Sequence, residues 1–184
     1  MALYPGGTWW EPAAHGHRFW QNFVCDLSWR TALNGQDNRT GSLLAQAAML
    51  VLVAGFVPFW LLAGEQGPRG VRPLGFASVL GTAAVTLMPS ERFGAMHGMA
   101  VMVATTTGLA AAVLAVVGQL RSGARLAGWL GVAVLGTAGL DFGLYVQTYA
   151  SASGGPGPLA LPALQKVALG LLLAWMTVVA ETRG

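Results

Sequence analysis

The sequence predicts an all-α fold: an integral membrane helical bundle of about five transmembrane helices, with an amphipathic N-terminal segment at the membrane interface. Of the 184 residues, 54% are hydrophobic and 9% are charged, whereas a soluble domain carries about 25% charged residues. Residues 43–184 contain five apolar stretches, each near the ~20 residues that a transmembrane helix needs. Residues 1–42 are polar and rich in tryptophan. We therefore divide the chain into an external or interfacial segment, 1–42, and a transmembrane domain, 43–184.

A helical period of apolar residues runs through the second half of the external segment. Its members are Trp20, Phe23, Val24 and Leu27. Four polar residues lie away from them: Arg18, Asn22, Asp26 and Arg30. This pattern predicts an amphipathic helix of about four turns that lies at the membrane interface.

The predicted transmembrane helices are residues 43–63, 72–89, 94–120, 126–150 and 159–181. The second is the shortest of the five. Because the connections between them are short, consecutive helices are expected to pack antiparallel. The longest connection, Ser151 to Pro158, is rich in Gly, Pro and Ser.

Arginines indicate how the bundle is oriented. One side of the bundle carries Arg69, Arg72, Arg121 and Arg125 at its short loops and Arg183 at the C-terminus. On the other side the short loops offer only Arg92, and Arg18, Arg30 and Arg39 lie in the longer N-terminal segment. The positive-inside rule then places the N-terminus outside and the C-terminus in the cytoplasm. We expect a multi-pass protein of a bacterial plasma membrane, with Trp60, Trp129 and Trp175 in an aromatic belt at the cytoplasmic interface.

The stretch 126–150 carries Asp141 near its middle. One helical face can form hydrogen bonds through Thr137, Asp141, Tyr145 and Thr148. Roughly opposite, a neighbouring helix could come close to Gly136, Gly139 and Gly143. Lys166 in the next helix lies at a similar depth, so we expect an Asp141–Lys166 pair, which reduces the cost of burying each charge. That pair serves either helix packing alone or a function.

Other polar residues gather at the predicted outer side of the membrane. Asp26 and His97 are the candidates for acid–base chemistry, and Asn22 and Glu91 are supporting polar residues. The alternative role for His97 is that of a hydrogen-bonded anchor near the interface.

Motifs for other kinds of chemistry are missing from the sequence. It contains no Ser-His-Asp order, HExxH, CxxC, P-loop or dinucleotide-binding fingerprint. His15 and His17 are weak candidates for metal ligands, and no cofactor is expected. No basic run accompanies the net charge of +3, so nucleic acid is not an expected partner. The expected partners are membrane lipids and either other membrane subunits or further copies of the chain.

Three stretches of the external segment are distinctive: Tyr4-Pro5-Gly6-Gly7, residues 22–27 (NFVCDL) and residues 32–38 (ALNGQDN). Together with His97 at the start of a later helix, they resemble a prokaryotic family of polytopic membrane proteins catalogued as domain of unknown function 998. The resemblance implies six helices, with the Tyr-Pro-Gly-Gly stretch directly after the first and an outside-facing loop before the second. No activity is assigned to that family, and the possible site that the resemblance implies is the asparagine–aspartate stretch with His97.

This chain departs from the family pattern in two ways. It begins at the Tyr-Pro-Gly-Gly stretch, so the first helix is expected to be missing. Cys25 stands where the family pattern has a small hydroxyl residue before Asp26, which weakens the idea of a reactive Ser-Asp pair there.

Three functions are compatible with these observations. The first is an accessory or binding subunit of a membrane complex, or a lipid-contacting protein, because the glycine face favours packing and no catalytic motif is present. The second is a hydrolase-like enzyme that acts on a lipid headgroup in the outer leaflet, using Asp26 and His97 with Asp141 and Lys166 in support. The third is proton or solute translocation through Asp141 and Lys166, which five helices without repeat symmetry make less favourable.

Overall fold

Helices make up most of the computed structural model, which describes residues 3–150 and 157–182. The six α-helices in these residues are α1 (Arg39–Gln66), α2 (Val71–Leu87), α3 (Ser90–Phe93), α4 (Ala95–Arg121), α5 (Arg125–Ala150) and α6 (Ala160–Glu181). A 3₁₀ turn at Cys25–Ser28 precedes them. Two isolated β-bridges, between Gly6 and His15 and between Thr31 and Asp37, are the extended pairings in the described residues.

Four of the helices, α1, α4, α5 and α6, are long and apolar enough to cross a membrane. Helix α2 is apolar but has 17 residues, which is ~26 Å at ~1.5 Å per residue against a hydrocarbon core of ~30 Å. Each apolar stretch that the sequence predicts to be helical therefore forms a helix, consistent with a multi-pass membrane protein. Most of the predicted connection from Ser151 to Pro158, and Arg183, lie outside the described residues.

The five longer helices pack in chain order. Helix α2 lies between α1 and α4, and α5 lies between α4 and α6. Helix α6 also returns to α1, where the indole of Trp175 meets Phe59 and Trp60 edge-on. Trp175 is completely buried, and its Nε1 donates a hydrogen bond to Gln119 Oε1 of α4 at 3.0 Å. This cluster holds three helices together at the end of the bundle where α1 terminates.

The same cluster corrects the predicted aromatic belt. Trp60 is 5% exposed and Trp175 is 0% exposed, so both are core residues. Only Trp129, at 64% exposed, has the surface position that a belt requires. A sequence pattern that places tryptophan near a helix end does not say which face of the helix it occupies.

Helices α2 and α4 approach closely at Gly81. A Cβ at this position would stand 2.7 Å from the backbone of Ala104. One turn earlier, Ser78 Oγ donates a hydrogen bond to the Ala104 carbonyl at 2.9 Å. Small residues and a hydroxyl are the usual means by which membrane helices pack tightly.

The predicted four-turn amphipathic helix is wrong, because residues 18–30 form turns and the single 3₁₀ turn. Burial is the reverse of the expected pattern: Asn22 and Asp26 are buried, and Trp20 is 59% exposed. Local hydrogen bonds explain the difference. Asn22 Oδ1 accepts from the Arg18 N–H at 2.9 Å, and Asp26 Oδ2 accepts from the Phe23 N–H at 2.8 Å. Such side-chain bonds compete with the backbone ladder of a helix.

Residues 3–38, which we call the cap, fold over one end of the bundle. Gly6 and Gly7 have φ angles of 141° and 88°, which only glycine adopts readily. A side chain at Gly6 would collide with the Ala14 carbonyl, and one at Gly7 with the backbone of residues 33 and 34. The Tyr-Pro-Gly-Gly stretch therefore lies in close contact with two other segments of the cap, one at Ala14 and one at residues 33 and 34.

The end of the bundle that carries the cap comprises the starts of α1, α4 and α6, the ends of α2 and α5, and α3. Helix α3 is a short turn that the sequence pattern did not predict. The opposite end carries four of the predicted orientation arginines: Arg69, Arg72, Arg121 and Arg125. The antiparallel order expected from the short connections is therefore present.

Candidate functional site

Asp26 lies at the centre of the cap and is 1% exposed. Its carboxylate accepts hydrogen bonds from Trp9 Nε1 at 3.1 Å, from the Phe23 N–H at 2.8 Å and from Asn22 Nδ2 at 3.4 Å. Burial raises the pKa of Asp26, while these three donors and the positive charge of Lys166 act in the opposite direction. The carboxylate is thus held by groups of the chain itself.

Asn22 connects this carboxylate to the rest of the cap. Its side chain is completely buried, and its Nδ2 also donates to the Gly7 carbonyl at 2.8 Å. Its own backbone carbonyl accepts a hydrogen bond from Lys166 Nζ. We call Trp9, Asn22, Asp26 and Lys166 the cap network.

Lys166 brings α6 into this network. It is 8% exposed, and its Nζ donates to the Pro162 carbonyl at 3.0 Å as well as to Asn22. The ammonium group also lies over the ring of Phe19, 5.5 Å from the ring centroid. A buried cation requires such partners, since burying it alone is costly.

The predicted Asp141–Lys166 ion pair is wrong as a contact. In residues 3–150 and 157–182, the only ion pair joins Arg18 to Glu11, at 3.3 Å. Asp141 and Lys166 interact electrostatically over a longer distance. Side chains on a helix tilt toward its N-terminus, so Lys166 leans toward the cap and Asp141 leans away from it. Equal depth of the two Cα atoms therefore does not bring the charged groups together.

His97 lies at the start of α4 and is 7% exposed. Its Nδ1 is 2.7 Å from the Met88 carbonyl oxygen. A carbonyl can only accept, so Nδ1 carries the hydrogen and donates it. The bond ties the start of α4 to the end of α2, which is the anchoring geometry weighed as the alternative role for His97.

The carboxylate of Glu91, on α3, binds backbone N–H groups of the cap. Its Oε2 accepts from the Arg30 N–H at 2.8 Å, and its Oε1 accepts from the Thr31 N–H at 3.3 Å. Beside it, Ser90 Oγ accepts from Trp29 Nε1 at 3.1 Å. Helix α3 is therefore the second attachment point of the cap, after the cap network.

Asp26 and His97 do not share a hydrogen bond in the described part of the chain, and each is occupied by other partners. A cavity of about 280 Å³ beside α1 and one of about 130 Å³ between α1 and α3 are lined by other residues. The acid–base pair predicted from the sequence therefore has no supporting contact.

The sequence reasoning missed several residues of the cap attachment. Trp9, Trp29 and Ser90 supply hydrogen bonds described above. Gln165 Oε1 accepts from the Val24 N–H at 2.8 Å and gives the cap another bond to α6. A signal existed for this one, because Gln165 and Lys166 are adjacent polar residues inside an apolar stretch.

Cys25 and the two N-terminal histidines have separate surroundings. Burial raises the pKa of the Cys25 thiol, and the negative charge of Asp26 adds to this effect. His17 lies edge-on to the rings of Tyr4 and Phe19, and its buried Nε2 has no hydrogen-bond partner. His15 forms a β-bridge with Gly6. Within the residues that the structure describes, no three His, Cys, Asp or Glu side chains cluster as metal ligands.

The two predicted faces of α5 have different surroundings in the structure. On the polar face, Thr137 Oγ1 donates to the Ala133 carbonyl of its own helix at 2.8 Å, and Tyr145 is half-buried. On the glycine face, a Cβ at Gly136, Gly139 or Gly143 would meet no atom within 4 Å. These three glycines therefore do not pack against another helix of the described chain.

No protein-family model, curated protein or solved structure matches this chain. The resemblance to domain of unknown function 998 consequently stays a prediction, and function has to be inferred from the geometry.

Proposed function

We propose that this protein is an accessory subunit of a membrane complex and that α5 binds a transmembrane helix of a partner subunit. The observation that carries the proposal is the open glycine face of α5. Gly136, Gly139 and Gly143 have free space where the glycines of α2 have close neighbours.

The surroundings of these glycines favour a helix as the occupant. Val132 and Leu140, at 38% and 55% exposed, flank the glycines on the same surface. Alternating small and large residues form a shallow groove into which a second helix can insert its own side chains. Helix α5 is also the least covered of the four long helices, because only 11% of its most apolar 18-residue stretch is buried.

A partner helix gains more from this surface than lipid does. In a bilayer there is no hydrophobic driving force between helices, so association depends on van der Waals packing and close backbone approach. Glycines at spacings of three and four residues permit that approach. Exposed Gln147, one turn beyond Gly143, offers an amide for an interhelical hydrogen bond.

The proposal includes a location in a bacterial plasma membrane with the N-terminus and cap outside and the C-terminus in the cytoplasm. The support is the arginines at the short connections and helix ends opposite the cap. At the cap end the short connection carries only Arg92, and Arg18, Arg30 and Arg39 belong to the longer N-terminal stretch. Arg69 lies in the connection between α1 and α2, Arg121 ends α4 and Arg125 begins α5. Positive charge near transmembrane ends favours the cytoplasmic side.

The test is co-purification from the native membrane in a mild detergent, followed by native mass spectrometry. Gly139→Leu and Gly143→Leu are expected to release partner polypeptides that the wild-type protein retains. Gly170→Leu is the matched control, because Gly170 on α6 also has open space at its Cβ position.

Three results contradict the proposal. One is retention of the same partners by both α5 variants. Another is equal loss in the Gly170→Leu control. The third is a wild-type protein that carries no other polypeptide, or only copies of itself.

Translocation of protons or a solute is a second candidate, favoured by Asp141. This carboxylate lies inside a long apolar helix and, among the described residues, accepts no hydrogen bond and forms no ion pair. Intramembrane carboxylates of this kind mark ion pathways in other proteins. A proton flux into proteoliposomes that Asp141→Asn abolishes would favour this candidate. Acid–base catalysis on a lipid headgroup by Asp26 and His97 stays a prediction without a supporting contact.

A further inference from the structure

An apolar cavity of about 280 Å³ lies between the cap and the first turns of α1. Its apolar lining comes from Leu3, Val24 and Leu27 of the cap and from Leu44, Ala48 and Met49 of α1. Leu44 is 56% exposed and Ala48 is exposed, so this side of the cavity opens toward the surface of a membrane-spanning helix. An engineered cavity of ~150 Å³ holds benzene, so this volume is large enough for a hydrocarbon chain segment.

One polar group in the wall of this cavity has no partner. Asn38 is 3% exposed and lines the cavity. Its Nδ2 donates to the Leu27 carbonyl at 3.2 Å and to the Trp29 carbonyl at 2.8 Å. Carbonyls only accept, so these two bonds define which end of the amide is nitrogen. Oδ1 must therefore point the other way, and it is buried without a hydrogen bond.

This arrangement is unusual for the position. Asn38 precedes the first residue of α1, where an asparagine normally accepts a hydrogen bond from the first helical turn. Here the side chain forms no cap bond, and its nitrogen is bound to the two cap carbonyls. Gly41, also in the cavity wall, makes room for the oxygen, since a Cβ there would collide with Asn38 Oδ1.

Depth along α1 matches one leaflet of a bilayer. The α1 residues of the cavity run from Gly41 to Met49, which is ~12 Å at ~1.5 Å per residue. Half of a hydrocarbon core is ~15 Å. The unpartnered oxygen lies beside Gly41, at the cap end of this run.

We propose that this cavity binds one acyl chain of a glycerolipid whose headgroup carries an O–H or N–H donor, and that Asn38 Oδ1 accepts that donor. The apolar walls take the chain. The buried oxygen selects the headgroup, because leaving an acceptor unpaired in the complex costs free energy that a donor recovers.

Three phospholipids with identical chains separate the sources of the donor. Phosphatidylglycerol offers hydroxyls and phosphatidylethanolamine offers an ammonium group, whereas phosphatidylcholine has no O–H or N–H donor in its headgroup. The wild-type protein is reconstituted in an equimolar mixture, and native mass spectrometry counts the retained lipids. We expect one retained lipid per chain, with one or both donor lipids favoured over phosphatidylcholine about two- to tenfold, the effect of one net hydrogen bond.

Two alanines of α1 provide a matched pair of variants that leave Asn38 intact. Ala48→Phe fills the cavity and is expected to abolish retention of the lipid. Ala47→Phe adds the same side chain at an exposed neighbouring position outside the lining and is expected to retain it. Far-UV circular dichroism shows whether both variants keep the wild-type helix content.

The proposal is overturned if phosphatidylcholine is retained as strongly as the two donor lipids. It is also overturned if a folded Ala48→Phe protein retains the lipid, or if both phenylalanine variants lose it equally. Those results would assign the bound lipid to the general annulus around the helices.

Discussion

The ammonium group of Lys166 is bound by backbone carbonyls rather than by the carboxylate for which the sequence made it a partner. The carbonyls belong to Asn22, 144 positions away in the chain, and to Pro162, one helical turn away. Within the described residues, Lys166 donates no hydrogen bond to a residue of α5. Lys166 is therefore coupled to the cap more than to α5.

Double-mutant cycles test this difference at Lys166. The Asp26→Asn and Lys166→Met cycle is expected to give a coupling free energy of about 1 kcal/mol, since the two residues belong to one network. The Asp141→Asn and Lys166→Met cycle is expected to be additive within about 0.5 kcal/mol. The measurement is the free energy of unfolding in mixed micelles. A larger coupling for Asp141 than for Asp26 would contradict the arrangement.

The surroundings of His17 predict that the stability of the cap depends on pH. Burial and the nearby positive charges lower the pKa of His17 from its ordinary value of 6.5. The closed cap then binds a proton less readily than the opened chain does, so protonation favours opening. The stability that His17 contributes is present above pH 6.5 and is lost as the pH falls below it.

The expected result is that tryptic cleavage of the cap, measured relative to an unfolded reference substrate at the same pH, becomes faster as the pH is lowered below 6.5. His17→Phe keeps the ring contacts with Tyr4 and Phe19 and is expected to remove this acid-dependent increase. Asp26 acts in the opposite direction, because its raised pKa means that protonation favours the closed cap. In the His17→Phe protein, the fraction of molecules with an open cap should therefore be no larger at low pH than at neutral pH. Equal pH profiles for wild type and variant would exclude His17 as the cause.

At the scale of elements, α3 attaches the cap to the bundle. Four residues form only one helical turn, yet Ser90 and Glu91 hold Trp29, Arg30 and Thr31. The bonds that Glu91 accepts come from backbone N–H groups of the cap. This attachment therefore depends on the carboxylate of Glu91 and does not depend on the side chains of Arg30 and Thr31.

Glu91→Ala is expected to open the cap next to Arg30. Loss of about 1 kcal/mol in these exposed bonds raises the population of the open form about fivefold. Trypsin should cleave after Arg30 about fivefold faster, because cleavage follows the open population when opening is rapid. Glu91→Gln keeps one acceptor oxygen and should lie between wild type and alanine. An unchanged cleavage rate in Glu91→Ala would show that α3 does not hold the cap.

The helices themselves were the part most open to prediction. Hydropathy over about 20 residues depends on composition alone, so the segments of α1, α4, α5 and α6 could be located without any tertiary contact. The cap was not predictable in the same way. Its residues 18–30 have a helical pattern, but the buried hydrogen bonds of Asn22 and Asp26 override it.

On the scale of the whole molecule, the cap constrains the path of α2. The chain leaves the cap at Asn38 and runs along α1 to the opposite end. It must then return, because Ser90 and Glu91 after α2 contact Trp29 and Arg30 of the cap. If α1 crosses the membrane, α2 therefore crosses it as well, although it is shorter than the other four.

Single-cysteine labelling tests this path. Cys25 is the only cysteine, so a Cys25→Ser background accepts one new cysteine at a time. With the proposed orientation, Arg92→Cys is expected to react with an impermeant maleimide in intact cells. Arg69→Cys is expected to react only after permeabilisation. Labelling of both from the same side would mean that α2 does not cross.

The sequence by itself determined that this chain is helical and apolar enough to cross a membrane several times. It also located the helices and identified the polar residues that need a partner. These properties are local, because hydropathy and helix length are sums over neighbouring residues.

Only the tertiary structure decided which partner each polar residue has. In the structure, Lys166 forms a hydrogen bond with the Asn22 carbonyl, Glu91 with the Arg30 N–H and His97 with the Met88 carbonyl. The structure also left Gly136, Gly139 and Gly143 of α5 without a neighbour in the described chain. Partners of this kind depend on the direction of side chains and on contacts between distant segments, which a count of depth along each helix does not contain.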